Sequence, residues 1–319
     1  MRGRQQLDQG WNLSGIISLT SIAEPNFFIL GAAKAGTTSL AAYLSQHPQI
    51  FVSPVKEPHF FALEDEKPDF FDPGDAARAV TDWADYLNLF KGCRGETAIG
   101  EASTTYLHSD KAATGIYNRF PKARLIAVLR QPVERAYSAF VMYHRENREE
   151  HKHLLKAIED EHLGKHYPGD IGVYLARGYY TEALKKYFDL FGRDNLRVYL
   201  YEDFQQQPQT ILDDLFAHIG VDSFQPDMSE THNAGGLHKS QVLKKLLTRP
   251  NPVRFLARNF LADSVRIGIR KRIKRFDLQK APALDTETWT LLMEEYREDI
   301  VQLQHLIDRD LGHWLRSEP

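Results

Sequence analysis

The amino-acid sequence predicts an α/β fold in which a central parallel sheet is flanked by helices. Three observations support this prediction: short apolar runs alternate with segments of helical periodicity, the runs are nearly continuous in apolar residues, and a turn rich in small residues follows the first of them. Alternating strands and helices are typical of parallel sheets covered on both faces. Strands buried on both faces show continuous apolar runs rather than alternation.

The predicted elements follow one another in a regular order. Strands are expected at 26–30, 49–52, 97–101, 124–129 and 195–201, and the run at 124–129 is the strongest. Helices are expected at 37–47, 81–90, 133–145, 181–191, 208–219 and 286–307. The 319 residues are enough for one large α/β domain. We predict an N-terminal arm over 1–24, a core over 25–235, and a helical, basic C-terminal extension over 236–319 that packs on the same domain.

Composition narrows the possible functions. The chain is 42% hydrophobic and 26% charged with a net charge of -3, which is typical of a soluble globular protein and argues against nucleic acid as a partner. Its one cysteine, Cys93, excludes an internal disulfide framework and favours a reducing, cytoplasmic location. The sequence shows no transmembrane segment. Between Lys239 and Lys280 there are thirteen Lys and Arg residues against Asp263 and Asp277. This stretch is either a solvated helical surface or a surface for anions, with peripheral contact to an anionic lipid or polysaccharide among the possibilities.

The turn after the first strand carries the strongest functional signal. It runs from Gly31 through Lys34 and Gly36 into a helix that opens with Thr37-Thr38-Ser39. Small residues let the backbone curl so that N–H groups converge, and the positive end of the helix faces the same point. The nucleoside-triphosphatase loop places its lysine after the second glycine, whereas Lys34 comes two residues before Gly36. The turn predicts a P-loop-like domain that binds a phosphorylated nucleotide; the alternative is an ordinary turn with a surface lysine.

A second candidate anion site lies at the end of the strand at 124–129. This strand is followed by Arg130, where triphosphatases place an aspartate that holds magnesium. Ser138 lies eight residues later, about two turns into the next helix. An arginine and a hydroxyl at this place suit a second phosphate on the nucleotide. The alternative is a surface arginine and a serine that packs between helices.

Four motifs in order resemble those of PAPS-dependent sulfotransferases. They are G-x-x-K-x-G-T-T-S from Gly31, H-P-Q-I from His47, K-E-P-H-F-F from Lys56, and L-R-x-P-x-x-R-x-x-S from Leu129. The chain is most similar to the branch that contains heparan-sulfate enzymes and bacterial carbohydrate sulfotransferases. The similarity spans about 26–235, and the ordered set is far more specific than the first motif alone.

The resemblance implies roles for individual residues. The 5′-phosphosulfate of PAPS would be bound by Lys34, Ala35, Gly36, Thr37, Thr38 and Ser39. Lys34 would also neutralise charge on the leaving phosphate oxygen. Arg130 and Ser138 would bind the 3′-phosphate, and Lys239 is a further candidate for that phosphate unless it is simply a solvated lysine. PAP would be the product, and no metal would be required.

Glu57 and His59 compete for the role of the base that deprotonates the acceptor. Both lie on the loop Ser53–His59, which two prolines stiffen. In the heparan-type branch the counterpart of Glu57 has this role, and in the cytosolic branch a histidine has it. We favour Glu57. The alternative is a plain loop carboxylate beside a packed imidazole ring.

Two departures from the family leave questions open. Ala102 stands where heparan-type enzymes have a lysine, and the late disulfide of that branch cannot form with one cysteine. The acceptor is expected to present a hydroxyl, or less readily an amine, on a carbohydrate, glycolipid or small metabolite. Tyr179 and Tyr180 either line the cleft or belong to the core. The alternatives for the whole chain are a P-loop kinase or NTP hydrolase, and a non-catalytic nucleotide-binding protein; the sequence does not indicate an oligomeric state.

Overall fold

The computed structural model describes residues 23–68, 79–165, 172–229, 237–238, 278–279 and 281–316. Within these residues, five parallel strands form one sheet in the order β2-β3-β1-β4-β5. Their bounds are Phe27–Gly31 (β1), Ile50–Val52 (β2), Ala98–Ala102 (β3), Arg124–Leu129 (β4) and Leu196–Leu200 (β5). A separate antiparallel pair joins Leu237–His238 (β6) to Leu278–Gln279 (β7).

Helices connect the strands and cover the sheet. Those before β4 are Thr37–Leu44 (α1), Phe60–Leu63 (α2), Trp83–Asn88 (α3) and Asp110–Arg119 (α4). Those after β4 are Pro132–Glu146 (α5), Leu154–His162 (α6), Thr181–Phe191 (α7), Tyr201–Gln206 (α8), Pro208–Ile219 (α9) and Thr286–Ile307 (α10). Short 3₁₀ turns occupy Tyr106–His108, Ala176–Gly178, Arg193–Asn195 and Gly312–Leu315.

The strand order brings the predicted site residues to one edge. The chain leaves β1 toward β2 on one side and later places β4 on the other side, so the order reverses next to β1. In open α/β sheets the ligand binds at the carboxyl ends of the strands where this reversal occurs. The turn with Lys34 follows β1, the loop with Glu57 follows β2, and Arg130 follows β4. These three segments therefore share the carboxyl edge of the sheet.

The apolar runs are buried as predicted. Every residue of β1 and β3 is buried, as are Leu125 to Leu129 of β4. Local signals set the helix ends: Gln131 accepts a hydrogen bond from Glu134 N–H (2.8 Å) ahead of Pro132, and Asn147 ends α5 at φ 59°. The strand at 97–101 lies in the interior of the sheet between β2 and β1.

The helix α10 packs against α5 and α7. Tyr296 on α10 donates to Leu175 O (2.8 Å), and Asp299 accepts from Tyr180 N–H (2.8 Å) and Thr181 N–H (3.2 Å) at the start of α7. The C-terminal helix is thus joined to the layer that covers β4 and β5. The domain limits at residues 24 and 235 stay a prediction.

Candidate active site

The turn after β1 has the backbone geometry of a tight cradle. Lys34 has φ 72° and Gly36 has φ 86°, and α1 begins at Thr37 with no side-chain cap. A Cβ at Gly36 would lie 3.0 Å from the Tyr201 ring, so both this contact and the left-handed backbone favour glycine there. Ala32 N–H donates to Val128 O (2.7 Å) and fixes the turn to β4. The turn therefore directs the N-terminus of α1 at the carboxyl edge of the sheet, where an anion is favoured.

The Lys34 ammonium lies among other cations. Its Nζ is 3.2 Å from Met142 Sδ on α5. Burial, followed by the positive charges of Arg145, Arg130 and Arg135, lowers the pKa of Lys34 from 10.5 to about 8, against the opposing charge of Glu146. A group of positively charged side chains held close together is a strong site for a phosphate or sulfate.

The Arg130 guanidinium already donates hydrogen bonds to neighbouring groups. Its Nε and Nη2 donate to Glu134 Oε2 (3.0 and 2.9 Å), and its Nη1 donates to Lys34 O (3.3 Å). The guanidinium carbon lies 5.0 Å from the centre of the Tyr201 ring. The sequence did not indicate that Glu134 would pair with this arginine. A phosphate at Arg130 has to compete with that carboxylate, whose side chain is 48% exposed.

Ser138 lies on the face of α5 that points at the cradle. Residues four apart share a helix face, and Ser138 lies between Glu134 and Met142 in this series. Glu134 contacts Arg130 and Met142 contacts Lys34. The half-buried Ser138 therefore shares a face of α5 with the residues that contact Arg130 and Lys34.

Glu57 is held by β3 and the residues that follow it. Glu57 N–H donates to Ala102 O (2.9 Å), while Thr104 donates to Glu57 Oε2 from its N–H (2.7 Å) and its Oγ1 (3.1 Å). Lys56 Nζ pairs with the other carboxylate oxygen. The Glu57 side chain remains 24% exposed, so its carboxylate is fixed in orientation and still accessible.

Charge keeps Glu57 ionised. Burial alone would raise its pKa, but Lys56, His59 and hydrogen bonds from Lys56 and Thr104 outweigh burial and lower the pKa below 4.5. The carboxylate is therefore ionised at neutral pH, as a proton acceptor has to be. In the sheet, β3 separates β2 from β1, so Glu57 and Lys34 follow strands two spacings apart, about 10 Å.

The His59 side chain is mostly buried and contacts its neighbours. Its Nδ1 lies 2.9 Å from Thr105 Oγ1 and 3.9 Å from Glu57 Oε2, and its side chain is 19% exposed. Its N–H donates to Ser103 Oγ (3.1 Å). His59 is thus a neighbour of Glu57 with one ring nitrogen already hydrogen-bonded.

The run from Ser103 to Thr105 is the part of the site that sequence reasoning missed. Its members bind Glu57 and His59 through the contacts given above. The available signal was a Ser-Thr-Thr run directly after a buried strand, a place where parallel strands put functional residues. Ala102, where a lysine was expected, is buried, and the ammonium beside Glu57 is that of Lys56.

Of the two adjacent tyrosines, Tyr179 lines a groove and Tyr180 belongs to the core. Tyr179 lines a groove of about 510 Å³ together with His108, Asp110 and Lys186. Tyr180 is fully buried and donates to Arg130 O (2.9 Å). Burial, with Arg177 and Arg135, lowers the pKa of His108 to about 3, so this imidazole stays neutral.

Some predictions fall outside the part of the chain that the structure describes. Lys239 and nearly all of the basic stretch up to Lys280 lie there. Among the described residues, no set of three or more His, Cys, Asp and Glu side chains could hold a metal ion. The helices of those residues include none long and apolar enough to cross a bilayer.

Comparisons with known proteins agree with the motifs. The family model described as Sulfotransferase family matches residues 108–226. The bifunctional heparan sulfate N-deacetylase/N-sulfotransferase 4 of Mus musculus is 26% identical over 304 residues, or 92% of this chain. The chain spans 31% of that relative's length. Carbohydrate sulfotransferase 15 of Homo sapiens is 30% identical over 159 residues, which cover 39% of this chain and 28% of the relative.

A solved structure extends the similarity over the whole fold. The crystal structure of a sulfotransferase from Alicyclobacillus acidocaldarius is 33% identical, with a TM-score of 0.70, and the match covers 92% of this chain and 100% of that one. The match confirms the resemblance predicted from the four motifs and the predicted α/β fold. The chain belongs to the sulfotransferase family.

Proposed function

We propose that this chain transfers a sulfuryl group from PAPS to an amine or hydroxyl of a carbohydrate acceptor. The observation that carries the proposal is one pair of groups at the carboxyl edge of the sheet. The Lys34 ammonium lies in the turn after β1, and the fixed, ionised Glu57 carboxylate lies on the loop after β2. A cation at the leaving group and a proton acceptor on the far side are what in-line transfer requires.

The residues present suit PAPS. When bound, PAPS supplies the sulfuryl group and a phosphate leaving group. The segment Lys34–Ser39 would hold the phosphosulfate, because its backbone turns at Gly36 into the N-terminus of α1. Arg130 and Ser138 would hold the 3′-phosphate, and Lys239 is a further candidate for it.

Each residue of the mechanism then has one task. Glu57 accepts the proton of the acceptor's amine or hydroxyl as the new S–N or S–O bond forms. Lys34 stabilises the negative charge on the bridging oxygen as the bond from sulfur to that oxygen breaks. Thr104 holds the Glu57 carboxylate in place through its N–H and hydroxyl.

The names of the relatives support a carbohydrate acceptor. One is an N-sulfotransferase of heparan sulfate and another is a carbohydrate sulfotransferase, and the chain spans less than a third of the length of either. We therefore propose the acceptor class and not a particular sugar. A glycolipid, a small metabolite and peripheral membrane contact remain predictions, as does a cytoplasmic location.

A transfer assay with labelled PAPS tests the function. The acceptors are N-deacetylated heparosan for amines, chondroitin for hydroxyls, and a set of small alcohols. We expect label in at least one carbohydrate and PAP as the product, with turnover unchanged by EDTA. A protein that binds ATP better than PAP, or whose turnover requires magnesium, would instead be a kinase or NTP hydrolase.

Substitution of Glu57 separates catalysis from binding. We expect Glu57→Gln to lower kcat by about 100-fold or more, because general bases contribute at least this much, while PAP affinity changes little. Glu66→Gln is the matched control, since Glu66 lies beyond α2 on the same segment and pairs with Lys111 at the surface. Lys34→Ala should also lose most turnover. Normal turnover in Glu57→Gln together with its loss in His59→Gln would make His59 the base.

A further inference from the structure

A buried carboxyl group lies behind the site and has no part in the proposed mechanism. Glu101, on β3, is fully buried. Its partners are hydroxyl groups: Tyr106 donates to its Oε1 (2.6 Å), Ser103 donates to its Oε2 (2.8 Å), and the more distant Tyr86 hydroxyl lies 3.4 Å from its Oε1. Burial of a carboxyl group costs stability unless hydrogen bonds compensate for it. The role of Glu101 therefore depends on what its hydrogen-bond partners do.

Two of these hydroxyls accept hydrogen bonds, one from the end of the loop that carries the proposed base and one from the first turn of α2. Ser103 Oγ accepts from His59 N–H (3.1 Å), and Tyr106 Oη accepts from Phe61 N–H (3.3 Å). A hydroxyl that donates its proton to a carboxylate can only accept hydrogen bonds from its other neighbours. Glu101 thereby orients both hydroxyls toward backbone N–H groups on either side of Phe60.

The loop needs this support because its backbone is strained. Glu57 and His59 have φ values of 60° and 59°, which residues other than glycine rarely adopt. Such conformations persist only where the surroundings hold them. The bonds from Ser103 and Tyr106 hold the downstream side of this strained segment, and Ala102 O with Thr104 holds Glu57 itself.

We propose that Glu101 is a positioning residue for sulfuryl transfer: through the Ser103 and Tyr106 hydroxyls it fixes the backbone of His59 and Phe61 and so aims the Glu57 carboxylate. The inference rests on the proposed function of Glu57. Burial raises the pKa of Glu101 to about 7, and the nearby Glu57 charge adds to this effect. The ionised form of Glu101, which accepts from both hydroxyls, therefore predominates above pH 7.

The first test does not depend on turnover. Hydrogen exchange is measured on the backbone amides of 54–61 in the free protein, for wild type and for Glu101→Gln, Ser103→Ala and Tyr86→Phe. We expect at least ten-fold faster exchange of the His59 and Phe61 amides in Glu101→Gln, and of the His59 amide in Ser103→Ala. Tyr86→Phe is the control, because Tyr86 touches Glu101 but donates nothing to this loop. Unchanged exchange in Glu101→Gln overturns the inference, and equal acceleration in Tyr86→Phe does so too.

The second test separates positioning from general damage. With labelled PAPS and N-deacetylated heparosan, we expect Glu101→Gln and Ser103→Ala each to lower kcat by about ten-fold, with the KM for PAPS and the affinity for PAP within about two-fold of wild type. Because Ser103 is one of the two hydroxyls through which Glu101 acts, the double variant should lose no more than the worse single variant. Additive losses, or a parallel loss of PAP affinity, would contradict positioning.

Ser103→Ala removes only a hydroxyl, so it tests the role of the Glu101 hydrogen bonds even if Glu101→Gln fails to fold. Failure of the wild type to transfer the sulfuryl group would count against the proposed function. The hydrogen-exchange measurement would still test whether Glu101 fixes the backbone of the loop.

Discussion

At the scale of single residues, Lys34 shows how an anion site can form where several positively charged side chains lie close together. Its ammonium is half-buried, and Arg145, Arg130 and Arg135 all act against its charge. A folded protein tolerates this arrangement poorly unless an anion offsets it. The low pKa is therefore a property of the free protein, and a bound phosphate should raise it.

The pH dependence of PAP binding tests this view. The free ammonium has a pKa of about 8, so it is charged below that pH and loses its charge as the pH rises through it. PAP phosphates are already ionised there, since the second pKa of a phosphate monoester is about 6. We expect PAP affinity to fall as pH rises from 7 to 9, by up to about ten-fold per unit above 8. Calorimetric titration at a series of pH values measures this.

Lys34→Arg provides the control for that titration. A guanidinium stays charged throughout the range, so the dependence on pH should flatten in this variant. An equal slope in wild type and Lys34→Arg would assign the titration to another group.

At the scale of elements, the turn between β1 and α1 depends on one glycine. Gly36 has φ 86°, and a Cβ there would meet the Tyr201 ring at 3.0 Å. The same ring lies beneath the Arg130 guanidinium. A side chain at position 36 would thus push on both proposed phosphate sites at once.

We expect Gly36→Ala to lower both stability and PAP affinity. The left-handed backbone costs an alanine about 1 kcal/mol, and the contact with Tyr201 adds to that cost. Gly220→Ala is the matched control, because Gly220 has φ 78° and nothing lies within 4 Å of its Cβ position. It should lose only the conformational part of the stability and bind PAP normally. Thermal unfolding and PAP titration on both variants give the comparison, and equal losses would remove the steric argument.

Local patterns predicted most elements because each carries its own signals. The strand Arg124–Leu129 and the helices Thr181–Phe191, Pro208–Ile219 and Thr286–Ile307 have the predicted bounds. Their apolar periodicity, prolines and caps lie within a few residues of each end. The helix predicted at 81–90 is shorter, Trp83–Asn88, and Tyr86 is its buried residue.

Contacts between distant segments could not be predicted in the same way. The bonds from Thr104 to Glu57 and from Ser103 to His59 join residues 47 and 44 positions apart. They exist because β2 and β3 are neighbours in the sheet, a fact of strand order and not of local pattern.

At the scale of the whole molecule, the end of the chain returns to the carboxyl edge of the sheet. Trp314 is buried, and its indole N–H donates to Glu202 Oε1, beside the Tyr201 that underlies Arg130. Gln131 Nε2 donates to Trp314 O (3.4 Å), and the Tyr180 and Trp314 rings are 6.4 Å apart. The last described turn therefore supports Arg130 from behind.

This arrangement predicts that Trp314→Ala affects ligand binding as well as stability. Loss of a buried tryptophan costs about 3–5 kcal/mol, and the indole's hydrogen bond to Glu202 and its contact with the Tyr180 ring are lost with it. We expect a large fall in the denaturant midpoint and weaker PAP binding even where the protein remains folded. His313→Ala is the control, because the His313 side chain is 39% exposed and its ion pair with Glu202 should contribute less than about 1 kcal/mol. If Trp314→Ala lowered stability but left PAP affinity unchanged at a temperature where it is folded, the C-terminal part would stabilise the core without shaping the Arg130 site.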